Sequence, residues 1–162
     1  MQADLSVQFK VRTTVEKYAG PVEGEPYERR MVLGNLGLRE GILALFNLLT
    51  GNTEDAFSEA NAYIGVGDSS TAAADTQTGL QATTNKAYVG MDTGYPVVGA
   101  LADKKVTFKA TFDGDTANFA WEEITVANGN SDAADNLNRK VESLGTKSAG
   151  SNWVVTVEIS AA

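Results

Sequence analysis

Val106, Phe108, Ala110 and Phe112 alternate with Lys105, Thr107, Lys109 and Thr111. A period of two sends successive side chains to opposite faces, so this run reads as a half-buried β-strand. Trp153, Val155, Val157 and Ile159 repeat the pattern, and Leu137, Arg139 and Val141 alternate with Asn138, Lys140 and Glu142. Phe119 and Trp121 share one phase, while Ile124 and Val126 share the other. A one-residue slip at Glu122-Glu123 keeps both pairs facing inward and predicts a β-bulge there. Turn residues separate these runs at Asp113-Gly114-Asp115, at residues 128–132 and at residues 145–151. Short strands parted by such signals predict a mainly β (α+β) fold, an antiparallel β-sandwich or barrel.

The N-terminal part has the same period. Leu5, Val7, Phe9 and Val11 alternate with Ser6, Gln8, Lys10 and Arg12, and the phase runs on through Thr13, Val15 and Lys17. Two readings stand side by side: a long strand of the domain's own sheet, or an extended arm that pairs with a neighbour. Residues 20–26 hold two of the three prolines and read as a loop. Tyr27 to Leu33 can pair back, with Tyr27, Arg29, Met31 and Leu33 on one face. The chain therefore divides into a β arm or hairpin over 1–33 and a single β-sandwich-like domain over 34–162.

One helix is expected, over 35–50. Asn35 suits its N-cap. Leu38, Ile42, Leu45, Phe46 and Leu49 fall on one face at period 3.6, a stripe to be packed on the sheet. Gly51 fits the position just past the end. Gly37 and Gly41 are tolerable where the helix lies close against another backbone. Ala62 to Val66 reads as a buried strand. It launches a long Ser/Thr/Ala/Asp/Gly loop in which Asp68-Ser69-Ser70-Thr71 bond their own backbone. Tyr88 to Val98 reads as irregular.

At 162 residues the chain is long enough for one domain with a sizeable core. It has no cysteine and no histidine, which excludes disulfides, thiolate nucleophiles and imidazole acid–base catalysis. Net charge is −8, which disfavours a sequence-independent grip on nucleic acid or on an anionic membrane. No apolar run approaches the ~20 residues that span a bilayer. The polar start Met-Gln-Ala-Asp-Leu-Ser is unlike a signal peptide.

No residue pattern here is a catalytic signature, so the chain is expected to be non-enzymatic and without a cofactor. Asp113 and Asp115 around Gly114 resemble a fragment of a calcium loop, but the downstream bidentate Glu is missing. An ordinary turn is the favoured reading. Glu122 and Glu123 are neighbours on a strand and do not form a converging carboxylate pair. Gly65-Val66-Gly67 lacks the third glycine and the helix of a dinucleotide fingerprint. Tyr63, Tyr88, Tyr95 and Trp121 could stack on sugars, which keeps a carbohydrate-binding module as an alternative.

The motif order carries a resemblance. Gly34-Asn35-Leu36-Gly37-Leu38 leads to Leu49-Thr50-Gly51. Then follow Val66-Gly67-Asp68-Ser69-Ser70-Thr71, Thr78-Gly79-Leu80, Ala110-Thr111-Phe112 and Asn118-Phe119-Ala120-Trp121-Glu122. Leu137-Asn138-Arg139-Lys140, Leu144-Gly145-Thr146-Lys147 and Trp153 to Val157 close the series. This resembles small virion structural proteins of tailed bacteriophages, over about Leu33 to Ile159. The family commonly has an aromatic residue where this chain has Ile124. The resemblance implies a capsid decoration (cement) protein of the virion surface, assembled in the host cytoplasm. Its partners would be the major capsid protein and further copies of itself, as a trimer. A tail component (fibre-attachment, collar or baseplate subunit) is the alternative. The expected contact residues are Leu5, Val7, Phe9 and Val11 in the arm, and Asp68, Ser69, Ser70 and Thr71 in the loop.

Overall fold

The computed structural model describes residues 7–161. The alternating residues fold as their period requires. β1 (Phe9–Tyr18), β2 (Glu28–Leu33), β6 (Val97–Val98), β7 (Lys105–Phe112) and β10 (Asn152–Ala161) form one sheet, in the order β2-β1-β10-β7-β6. β3 (Leu36–Gly37), β4 (Tyr63–Gly67), β5 (Lys86–Gly90), β8 (Ala120–Ala127) and β9 (Asn138–Thr146) form the second, in the order β3-β9-β8-β4-β5. Every pairing is antiparallel. Two such sheets face to face make a mainly β sandwich, with α1 (Arg39–Thr50) as its single helix among the described residues.

β1 belongs to this sandwich and is not an arm. Its residues pair with β10 from Phe9↔Ala161 to Tyr18↔Asn152, and Arg12 to Lys17 pair with β2 on the other side. The inward positions Val11 and Val15 join Val32 in the same core as Trp121, Trp153 and Phe112. Leu5, the first of the expected arm residues, lies outside the described residues. Trp121 sits at the centre, with its ring centroid 4.7 Å from those of both Phe112 and Trp153. Its Nε1 donates to the Ala117 carbonyl at 2.9 Å, so the one polar atom of the ring is satisfied. The slip between Trp121 and Glu123 lies where the phase change places it. It lets Trp121, Ile124 and Val126 all face the core.

Lys17 keeps the inward phase and closes one end of the sandwich. Its Nζ donates to the Leu144 carbonyl at 2.6 Å and to Glu28 at 2.9 Å, and it lies 4.4 Å from the Trp153 ring centroid. A buried ammonium needs such partners.

Three expectations are corrected. The segment from Tyr88 to Val98 is not wholly irregular, because β5 and β6 use parts of it as strands. The helix begins at Arg39, with Leu38 in extended conformation at the N-cap and no side-chain cap. Asn35 does not cap it, because Leu36-Gly37 is drawn into pairing with Asn138-Arg139 instead. The helix is also rotated from the expected orientation. Leu38, Gly41 and Ala44 are buried, whereas Phe46 is 59% and Leu49 81% exposed. The cause is Gly41: a Cβ there would lie 2.2 Å from Leu137 Cα. Backbone meets backbone through the small residues; Leu38 stays buried and Leu45 packs half-buried on the core, while Leu43, Phe46 and Leu49 turn away. Gly51 ends the helix in the left-handed region (φ 73°) as expected.

Gly41→Ala is expected to lower the unfolding free energy in urea by about 3 kcal/mol, because the obstructing atoms are backbone. Gly20→Ala, with open space around it, should change it by less than about 0.5 kcal/mol.

Candidate functional site

Glycine at two places in β4 opens the outer face of the second sheet to polar groups. A Cβ on Gly67 would lie 2.4 Å from Glu123 Oε1, and one on Gly65 would lie 2.5 Å from Tyr88 Cε1. The bare strand leaves room for both side chains to lie across it. Glu123 and Arg139 then pair with their side chains wholly buried, Arg139 Nε to Glu123 Oε2 at 2.6 Å. The loop 68–85 covers them and supplies the remaining partners. The Gln81 and Ala82 amides donate to the Glu123 carboxylate at 2.9 and 2.8 Å. Arg139 Nη1 donates to the Thr71 carbonyl at 2.9 Å and to Gln77 Oε1 at 3.0 Å. A buried charge is tolerable only with such partners; of the guanidinium nitrogens, Nη2 alone is left without one.

A second polar cluster adjoins it. Tyr88 Oη donates to Asp132 Oδ1 at 2.5 Å, and Lys86 pairs with the other oxygen of Asp132. Burial, with the Asp132 carboxylate beside it, raises the Tyr88 phenol far above its usual range. The phenol stays a neutral donor. Asp132 Oδ1 also accepts from the Leu80 amide at 3.1 Å, so the far end of the loop is tied as well.

The expected loop contacts lie on the surface of this pinned segment. Asp68, Ser70 and Thr71 are exposed and Ser69 is half-buried. Asp68 accepts from Asn85 Nδ2 at 2.8 Å, and the Thr71 amide donates to Ser69 Oγ at 3.2 Å. In the strand β1 group, Val7 and Phe9 are exposed but Val11 is core. The two groups are on different parts of the molecule. Val7 and Phe9 lie at the open end of the sandwich, and the loop lies on the outer face of the second sheet.

Asp113 and Asp115 form a turn. Asp113 Oδ1 accepts from the Asp115 amide at 3.0 Å. Bonds from the Thr116 hydroxyl and that amide hold the Asp113 carboxyl below its usual range. Lys147 Nζ donates to the Asp113 carbonyl and to Asn118 Oδ1. Burial lowers the Lys147 ammonium, against the pull of Asp113 and Asp115. Among the described residues, no three His, Cys, Asp or Glu side chains converge as a metal site. Nor do the four aromatic residues make one platform. Trp121 is core, Tyr95 lies with Lys109 on the first sheet, and Tyr63 and Tyr88 lie on strands of the second.

Sequence reasoning passed over the pair that organises this face. Glu123 is noticed there as one of two adjacent acids, and Arg139 as a member of an alternating strand. The available signal is joint: two glycines in one short strand, with a strand carboxylate and a strand guanidinium elsewhere. Compared with known proteins, the chain matches no family profile, no curated protein and no solved structure.

Arg139→Met should strand the Glu123 charge and cost about 3–5 kcal/mol in urea unfolding. It should also speed proteolytic cleavage within 68–85. A loss below about 1 kcal/mol would remove the pair as the anchor of the loop. On the first sheet, Glu158 accepts from Lys105 at 2.6 Å and pairs with Arg12 at 2.5 Å. The Lys105 bond, then that from Arg12, depresses its carboxyl. A depressed carboxylate stabilises the fold above the ordinary acid range, and that contribution is lost as pH falls through the lowered value. Glu158→Gln is therefore expected to cost about 1 kcal/mol at neutral pH and nothing once wild-type Glu158 is protonated, measured by denaturation across pH.

Proposed function

We propose that this chain is a non-enzymatic structural protein of a bacteriophage virion, a decoration (cement) protein that binds and stabilises the major capsid shell. The motif order from Leu33 to Ile159 supports the virion reading. The observation that carries the binding role is the state of the loop 68–85. Its side chains at Asp68, Ser70 and Thr71 are presented to solvent, while its backbone is fastened from below by Glu123, Arg139 and Asp132. A surface already held in place loses little conformational freedom when it docks, which favours tight association from a modest area. Small polar side chains also allow close approach to a flat partner. The titratable groups beneath the loop are engaged in holding it, which fits a contact surface better than a reactive one.

Quantitative mass spectrometry of purified particles tests the reading. It should find a copy number near that of the major capsid subunit. A few copies per particle, with adsorption lost and heads intact on deletion, would make the protein a tail component instead. Ser70→Arg, at an exposed position, should weaken binding to purified shells at least about ten-fold without lowering stability; ten-fold is ~1.4 kcal/mol of binding.

A further inference from the structure

The end of the sandwich away from Lys17 is open and apolar. Three hollows meet there. One, of about 190 Å³, lies between α1 and the mouth of the two sheets and is lined by Phe9, Ile42, Leu45 and Ile159. A second, of about 360 Å³, continues along the helix past Ile42 to Leu43 and Phe46. A third, also of about 360 Å³, continues from Phe9 and Ile159 to Val98 and Leu101. Ile42 links the first to the second, and Phe9 with Ile159 links the first to the third, so the three form one trough. Phe9 is 60%, Phe46 59%, Val98 79% and Leu101 95% exposed.

We propose that this trough is an interface between copies of the chain, covered in solution by a second copy. Area is the first argument. With Leu43, the exposed side chains leave on the order of 600 Å² of apolar surface open, given roughly 150–250 Å² for a whole aromatic side chain and less for Val or Leu. That reaches the top of the roughly 300–600 Å² range of the largest apolar patch on a typical monomer. It approaches the ~800 Å² that one partner contributes to a stable interface.

Charge is the second argument. The chain carries a net −8, so two copies repel across most orientations. Among the described residues that line the trough, Asp75 is the single acid, and it is paired with Arg39 at 2.9 Å. Lys104 and Lys105 stand on the rim, the latter paired with Glu158. The trough is thus a place where two acidic molecules can meet with little like-charge cost while removing apolar surface from water. The Gly41 contact explains how such a surface arises, since it turns Leu43 and Phe46 outward. The inference rests on these features alone and does not depend on the capsid reading.

Sedimentation equilibrium of the full chain, from about 1 to 100 μM, tests it. Wild type is expected to self-associate. Phe46→Asp and Leu101→Asp, both at exposed positions, should each weaken association at least about ten-fold, a loss of ~1.4 kcal/mol. Far-UV circular dichroism should show both variants folded. A wild-type chain that stays monomeric over the range overturns the proposal, as does association that both variants leave intact. Two further outcomes would reassign the trough and overturn it too. One is flotation of wild type, but not Leu101→Asp, with vesicles of phosphatidylcholine and phosphatidylglycerol. The other is a monomeric wild type that binds an apolar dye only after deletion of residues 1–6.

Discussion

The buried contact between Glu123 and Arg139 decides how the second sheet is finished. A sheet with one face on a core and the other open to water needs only polar residues outside. Here the outer face carries a carboxylate and a guanidinium that water does not reach. Their charges demand donors and acceptors, and the loop 68–85 supplies them from its own backbone. The loop is therefore fastened to the sheet it covers, although its composition is that of an unstructured connection. The glycines of β4 follow from the same demand, since any larger residue would fill the space that Glu123 and Tyr88 occupy.

Much of the sandwich is legible in the sequence because period two is a local signal. β7 and β10, the inward phase of β1 and the slip before Glu123 can all be read from runs of about ten residues. The second sheet's pairings are less legible, because Ala87 and Val89 in β5 pack on the core from a segment rich in turn residues. The helix shows the limit most clearly. Its hydrophobic stripe is real, yet period alone does not say which side of an amphipathic helix meets the core when a glycine lies on a competing side. Close approach at Gly41 outweighs the size of Phe46 and Leu49, because packing density rewards contact over bulk.

The exposed residues of the loop are partly legible for the same reason. A run of Asp, Ser and Thr after a strand marks a surface loop. Nothing in that run says that Arg139, about 70 residues later, will hold it. Conversely, the alternation through Val7, Phe9 and Val11 marks a strand but does not say that its first turns stand at an open end while Val11 enters the core. That depends on where α1 and the β6–β7 connection stop, which is a property of the assembled sandwich.

The order of the first sheet bears on how the chain can be made. β10 is the last strand among the described residues, yet it lies between β1 and β7 and joins them. Until it has left the ribosome, the β1–β2 hairpin and the β6–β7 pair have no common strand, and the inward faces of both stay wet. The second sheet does not need β10, though of its pairings only β4–β5 and β8–β9 join sequence neighbours. Long-range pairing of this kind makes folding slow and leaves hydrophobic strands exposed to other chains in the meantime. Completion of the core thus waits for β10, and until then the net charge of −8 favours keeping chains apart.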